Sequence, residues 1–220
     1  MITTPSFSLV HFEFLAWAAL WTLGLSAIAF VGGGLLGFGV TLARIGPSKT
    51  LRRAASTYIQ IVQGTPLLIL LFLIYYGIAI FAGPGFPAIL AAGAGLTIYA
   101  SGFLAEIWRG CIEAVPKTQW EAAECLALSR WQRMSRVILP QALRIATPPT
   151  VGFLVQIVKN TSLASVIGFI ELAQAGKLIN NSIFEPFTVF MVVAAFYFAI
   201  CFPLSVWSRK LERKLNVAGR

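Results

Sequence analysis

Residues 14–43 read FLAWAALWTLGLSAIAFVGGGLLGFGVTLA, thirty consecutive positions without a charged side chain. A helix needs about 20 apolar residues to cross roughly 30 Å of hydrocarbon, where each backbone polar group must be bonded within the segment. This run is long enough. Outward from it the same character holds: 58% of the 220 residues are hydrophobic and 11% charged, against roughly a quarter charged in soluble domains. The sequence reads as an all-α, polytopic membrane protein with one transmembrane domain over 1–220, in preference to a soluble protein with buried helices.

Within the run, Gly33 and Gly37 form a GxxxG pair, serving either packing within the chain or a subunit interface. Further apolar spans cover about 88–108, 146–167 and 187–207. A segment over 55–81 is interrupted at Gly64-Thr65-Pro66. Pro66 removes a backbone donor and crowds the preceding turn, so a kink or break is expected there. Gly-Pro-Gly-Phe-Pro at 83–87 reads as a tight uncharged connection, and 171–186, with Glu171, Lys177 and Glu185, as a periplasmic connection holding a short helix. That makes five transmembrane helices.

The net charge of +9 would also suit nucleic acid, so the positions of the cations decide its meaning. They fall at Arg44, Lys49, Arg52 and Arg53; at Arg109, Lys117, Arg130, Arg133, Arg136 and Arg144; and at Arg209, Lys210, Arg213, Lys214 and Arg220. Lys and Arg concentrate in cytoplasmic loops, and five spans with the N-terminus outside and the C-terminus inside place every cluster in the cytoplasm. The basicity reports topology in a bilayer and implies no nucleic-acid partner. No cleavable signal is expected, because the N-terminus lacks basic residues and its apolar run exceeds a signal core.

Covalent chemistry has little to work with. There is no Asp, His11 is the single histidine, and Cys111, Cys125 and Cys201 lack metal-ligand spacing and read as free thiols. Gly46-Pro-Ser-Lys-Thr50 lacks the glycine spacing and Gly-Lys-Ser/Thr order of a phosphate loop. The chain is therefore expected to be no enzyme and to bind no cofactor or metal.

One polar insert, over about 113–140, has its own helix signals. Thr118-Gln-Trp-Glu121 and Ser129-Arg-Trp-Gln132 both match the capping box, in which side chains satisfy orphan backbone donors, and Pro140 marks a kink or a new helix start. Ala122, Ala123 and Leu126 offer a small apolar face, and Glu121, Glu124, Arg130 and Arg133 offer charges that set register. Two readings stand: a protruding dock for a partner, or an amphipathic element on the lipid surface with Trp120 and Trp131 in the interface.

Glu121-Ala-Ala123, Ala127-Leu-Ser129 and Val137-Ile-Leu-Pro-Gln-Ala142 resemble the EAA loop of bacterial ABC importer permeases. Gly64-Thr-Pro-Leu-Leu68, Ala105-Glu-Ile-Trp-Arg-Gly110, Ala114-Val-Pro116 and Lys159-Asn-Thr-Ser-Leu163 resemble the permeases for polar amino acids and opines, in order, over roughly residues 14–210. The resemblance implies a type I importer permease whose loop, through Glu121, Ala122, Ala123, Leu126, Ala127, Ser129 and Arg130, docks in a cleft of a separate cytoplasmic ATPase. It implies two permease subunits, identical or homologous, two ATPase subunits that use ATP and Mg, and a periplasmic substrate-binding protein. Three positions depart from the pattern: Ala127 stands where the family usually has Gly, Gln63 where Arg is common, and Asn160 where Asp is also frequent. Alanine at 127 implies right-handed backbone angles or a shallower bend.

Lys159 is the one basic residue deep in an apolar span, about 22 Å of helix beyond Arg144 at about 1.5 Å per residue. Burying an ammonium costs at least about 2.5 kcal/mol. Either Lys159 snorkels outward or pairs with Glu171, or it lines the translocation pathway with Asn160, Thr161 and Ser162. Gly64, Thr65 and Pro66 either form a structural kink or expose backbone groups to that pathway. Glu106 and Arg109 read as an i,i+3 ion pair at the base of the loop. Two other functional classes compete: an ion-coupled secondary transporter, which calls for inverted repeats and intramembrane carboxylates, and a non-transporting membrane anchor subunit.

Overall fold

The computed structural model describes residues 6–83 and 86–217. The 83–87 connection therefore lies partly, and Arg220 wholly, outside the described residues. All regular structure among the described residues is helical.

Helix α1 runs Leu9–Ile45, 37 residues, longer at both ends than the apolar run alone indicated. Its start is fixed by Ser8, whose backbone N–H donates to His11 Nδ1 at 3.1 Å. The single histidine is thus a helix cap. Helices α2 (Lys49–Gly64) and α3 (Leu67–Ala82) are the two halves of the interrupted segment, bent by 102° at Thr65-Pro66. Thr65 closes α2, its N–H and Oγ1 both donating to Ile61 O at 3.1 and 2.8 Å, and Pro66 opens α3. Helix α4 (Ala88–Glu113) is the central post. The coupling region follows as α5 (Lys117–Cys125) and a helix that starts as α6 (Arg130–Gln132), widens to a π stretch at Arg133–Ile138 and continues as α7 (Leu139–Asn160). Beyond α7 come a 3₁₀ stretch at Thr161–Ile167, then α8 (Leu172–Ile183) and α9 (Pro186–Val217).

Four helical stretches are long and apolar enough to cross a membrane, Leu9–Ile45, Ala88–Glu113, Arg130–Ile167 and Pro186–Leu215, and the bent pair qualifies as a fifth when taken together.

Small residues let α1 and α4 approach closely. A Cβ on Gly33 would sit 2.4 Å from Ala100 Cβ, and one on Gly37 2.9 Å from Ser101 O. The GxxxG face is therefore spent within the chain. On other sides of α4, Gly102 receives Val62 of α2 and Gly95 receives Leu71 of α3. Hydrogen bonds fix the rotation of these helices: Tyr58 Oη with Ser101 Oγ at 2.6 Å, and Trp108 Nε1 to Thr150 Oγ1 of α7 at 3.0 Å.

Pro140 stands at the second residue of α7, the helix entry expected there, and the wider π turn just before it, with Leu139 N–H donating to Met134 O, leads into it. The 171–186 segment holds the short helix expected of it, α8. Glu171 is fully buried and caps α8, accepting from Ala173 N and Gln174 N at 3.0 and 2.9 Å and from Tyr197 Oη at 2.6 Å. Leu172, Ala175, Ile179 and Ile183 then pack on Leu15 and Ala18 of α1 and Val189 of α9.

Candidate functional site

The insert is a self-supporting element. Ile112, Val115, Ile138 and Ala142 form a small core beneath it, joined by Ile45, Trp120 and Met134. This core ties α5 to the ends of α1, α4 and α7. Helix α5 starts at Lys117 after Pro116, one residue before Thr118, so the Thr118–Glu121 capping box is not made: a preceding proline with its fixed φ already sets the first turn. The second box forms as expected, with Gln132 N–H donating to Ser129 Oγ at 3.3 Å and Ser129 N–H to Gln132 Oε1 at 3.0 Å. Gln141 Nε2 reaches Gln119 Oε1 at 3.2 Å, and Arg133 Nη1 meets Glu124 Oε1 at 3.1 Å. Glu124 and Arg133 are thus partners of each other.

Between the two helices Ala127 has φ of +52°, contrary to the right-handed or shallow turn that alanine implies. Leu128 N–H bonds back to Ala123 O at 3.2 Å, which closes the end of α5 and demands the left-handed residue. Holding a Cβ there costs about 1 kcal/mol. Ala127→Gly is expected to relieve most of this, slowing amide hydrogen exchange over residues 123–129 by about two- to fivefold; unchanged exchange would show that the turn is not strained.

Of the residues assigned to docking, Glu121, Ala122, Leu126, Ala127, Ser129 and Arg130 are exposed. Leu126 is 73% exposed, a large apolar side chain that no described residue covers. Ala123 is 2% exposed and faces inward, which corrects its place on the docking face. Behind the loop, Arg109 clamps Glu106 and also Glu113, one turn on either side of it along α4. The expected pair is therefore a triad that stiffens the α4 end from which the loop departs.

At the other candidate region the helix changes type. Asn160 ends α7, and Thr161–Ile167 is 3₁₀, finishing at Gly168 with φ of +84°. Thr161 Oγ1 donates to Val158 O and Ser162 Oγ to Lys159 O, each three residues back. Such side-chain bonds compete with the α ladder and favour the tighter winding. Lys159 is exposed and has no carboxylate within ion-pair distance among the described residues. Pairing with Glu171 is ruled out, since that carboxylate is held by Tyr197 and the α8 amides. Gln156, one turn before Lys159 and bonded to Asn160 at 3.2 Å, extends the polar stripe. Its i,i+3 and i,i+4 spacing to Lys159 and Asn160 was the available signal. Thr161 is buried; Gly64 and Pro66 are exposed and Thr65 half-buried at the 102° bend. No hydrogen bond among the described residues joins the bend to Lys159–Ser162, although Leu67 just past it and Ile157 share one core cluster.

A bundle of membrane-length helices around one central post, with a broken span and a braced loop protruding at one end, is the architecture of a transporter's membrane subunit. The chain belongs to the family of binding-protein-dependent transport system inner membrane components, whose model matches residues 33–217. It is a permease subunit of an ABC importer of the bacterial inner membrane. It is 39% identical over 194 residues to a probable amino-acid ABC transporter permease of Bacillus subtilis, YckA, covering 88% of this chain and 85% of the relative. It is 31% identical over 214 residues to the glutamine transport system permease GlnP of Escherichia coli K12, covering 91% and 98%. A crystal structure of an amino acid ABC transporter with histidines superposes with a TM-score of 0.88 at 30% identity, over 96% of this chain and 100% of that one. The MetNI methionine transporter in inward-facing form shares the fold, with a TM-score of 0.80 at 20% identity, over 95% and 99%.

Proposed function

We propose that this chain forms half of the pathway for a polar amino acid or a related compound such as an opine, with its N-terminus outside and its C-terminus in the cytoplasm. The relatives named above for amino acids and glutamine support the substrate class. A second permease, identical or homologous, supplies the other half. ATP hydrolysis takes place on two separate ATPase subunits, which receive the exposed face of the 113–140 loop, and a periplasmic binding protein delivers substrate. The observation that carries the reading is the exposed Leu126 and Ala122 on a loop whose own core, capping box and Arg109 triad hold it rigid without a partner. A rigid loop transmits motion; a loose one absorbs it. ATP-driven closure of the ATPases then moves the loops and the helices anchored to them as rigid bodies.

The test is co-purification in detergent with the candidate ATPase, comparing wild type with Glu121→Lys/Ala122→Trp. Both changes lie on the exposed face and leave the loop core intact. A stable wild-type complex lost in the variant is the expected result; equal recovery of both would sink the docking role.

A further inference from the structure

Two adjoining clefts at the loop end of the bundle are strongly cationic. One, of about 390 Å³, is lined by Arg44, Lys49, Arg52, Arg53 and Ser56. The other, of about 990 Å³, shares Arg44 and Arg52 and extends to Arg130, Trp131 and Arg133 on the coupling loop. Arg133 is paired with Glu124, and Glu113, the carboxylate on the larger cleft's wall, is engaged by Arg109. Arg44, Lys49, Arg52, Arg53 and Arg130 have no carboxylate within ion-pair distance among the described residues. Unpaired cations gathered at two adjoining clefts call for an anion that no described residue supplies.

We propose that this anion is the phosphate of an anionic phospholipid of the cytoplasmic leaflet, held chiefly by the cleft cations Arg44 and Arg52 and bridging the α1–α2 turn to the coupling loop. The inference rests on the proposed orientation, with the basic clusters inside. Lipid fits the surroundings better than an acidic protein surface does. Leu42 and Leu51 are exposed beside these arginines, so the apolar flank of α1 runs directly into the cation cluster, as acyl chains run into a headgroup. Trp131, 76% exposed, adds an aromatic side chain of the kind that settles at headgroup level. Guanidinium groups bind phosphate oxygens bidentately. The bound lipid serves as a counter-ion between two elements that would otherwise repel, so that anionic lipid steadies the loop to which the ATPase is bound.

Native mass spectrometry of the detergent-purified complex tests this, with phosphatidylglycerol, phosphatidylcholine and inorganic phosphate as separate probes. Wild type is expected to retain phosphatidylglycerol over phosphatidylcholine, and Arg44→Gln/Arg52→Gln to bind it about 30-fold more weakly, two cations near an anionic surface being lost. Lys210→Gln/Arg213→Gln, which removes equal charge from the tail, should retain it as wild type does. Monodisperse elution of each variant checks folding. Equal retention of both lipids, or wild-type retention by the Arg44/Arg52 variant, overturns the site. Displacement of the lipid by millimolar inorganic phosphate assigns the clefts to free phosphate and overturns the lipid. Exclusion of the lipid whenever the ATPase is bound assigns the cations to that protein instead. Because retention is read without transport, it can fail while uptake and ATPase docking stand; cysteine labelling at position 53 from either side tests the orientation separately.

Discussion

Replacing Gly33 with valine is expected to remove nearly all folded permease from the membrane fraction. A Cβ at this position lies 2.4 Å from Ala100 Cβ, 3.1 Å from Thr97 O and 3.2 Å from Ala100 C. Carbon atoms pack at about 3.5–4.0 Å, and two of these neighbours are backbone, so no rotamer change relieves the clash. Helices α1 and α4 must move apart. Separation also strains the next contact down the seam, where Gly37 faces Ser101 O and Thr41 Oγ1 reaches Ala105 O at 3.4 Å. Overpacking a tight core costs about 1–3 kcal/mol when side chains alone adjust, and more when helices shift. Gly24→Ala, on the same helix with nothing within 4 Å of its Cβ, should accumulate normally. Gly33→Ala should be poorly expressed and partly rescued by Ala100→Gly, which removes the closest atom. Membrane fractions quantified by immunoblot decide it: normal levels of the Gly33→Val protein, or no rescue by Ala100→Gly, would show that the seam is not tight.

That seam illustrates what the amino-acid order makes legible. Span positions follow from hydrocarbon thickness and uninterrupted apolar runs, a property of each segment alone, and the break at Gly64-Thr65-Pro66 follows from a missing donor. Which partner Gly33 and Gly37 face depends on a helix some 65 residues away, so the sequence left both readings open. Ala123 was misassigned for a similar reason: its neighbours Ala122 and Leu126 are exposed as expected, but the direction of one methyl depends on how Ile112, Val115 and Ile138 meet beneath α5. Ala127 carries a different lesson. Residue type gives a preference of about 1 kcal/mol, and the hydrogen bond from Leu128 to Ala123 O, together with the Ser129 box, outweighs it. Glu171 was read as part of a polar connection with a short helix; that it is buried as the cap of that helix depends on two amides and the Tyr197 hydroxyl, which offset the cost of a carboxylate in an apolar neighbourhood.

Lys159→Met is expected to lower uptake strongly while leaving the permease assembled with its ATPase. The ammonium stands exposed at the α-to-3₁₀ junction, beside Asn160 and the Gln156 amide. Its surroundings in the membrane decide the sign of the effect. If this face met lipid, the charge would cost at least about 2.5 kcal/mol, and methionine, matched in length and apolar, would stabilise the protein without harming transport. If the face lines the pathway, the other reading of the sequence, removing the ammonium leaves a substrate carboxylate without its charged partner. Hydrogen bonds to charged groups contribute about 1.5–3 kcal/mol, so uptake should fall by roughly 10- to 100-fold. Lys159→Arg should recover part of the loss by keeping the charge with a different donor geometry. Uptake of labelled substrate into proteoliposomes, read beside thermal stability in detergent, separates the cases. A Lys159→Met protein with wild-type uptake and raised stability would place this face against lipid, and the pathway would then have to run along another side of α7.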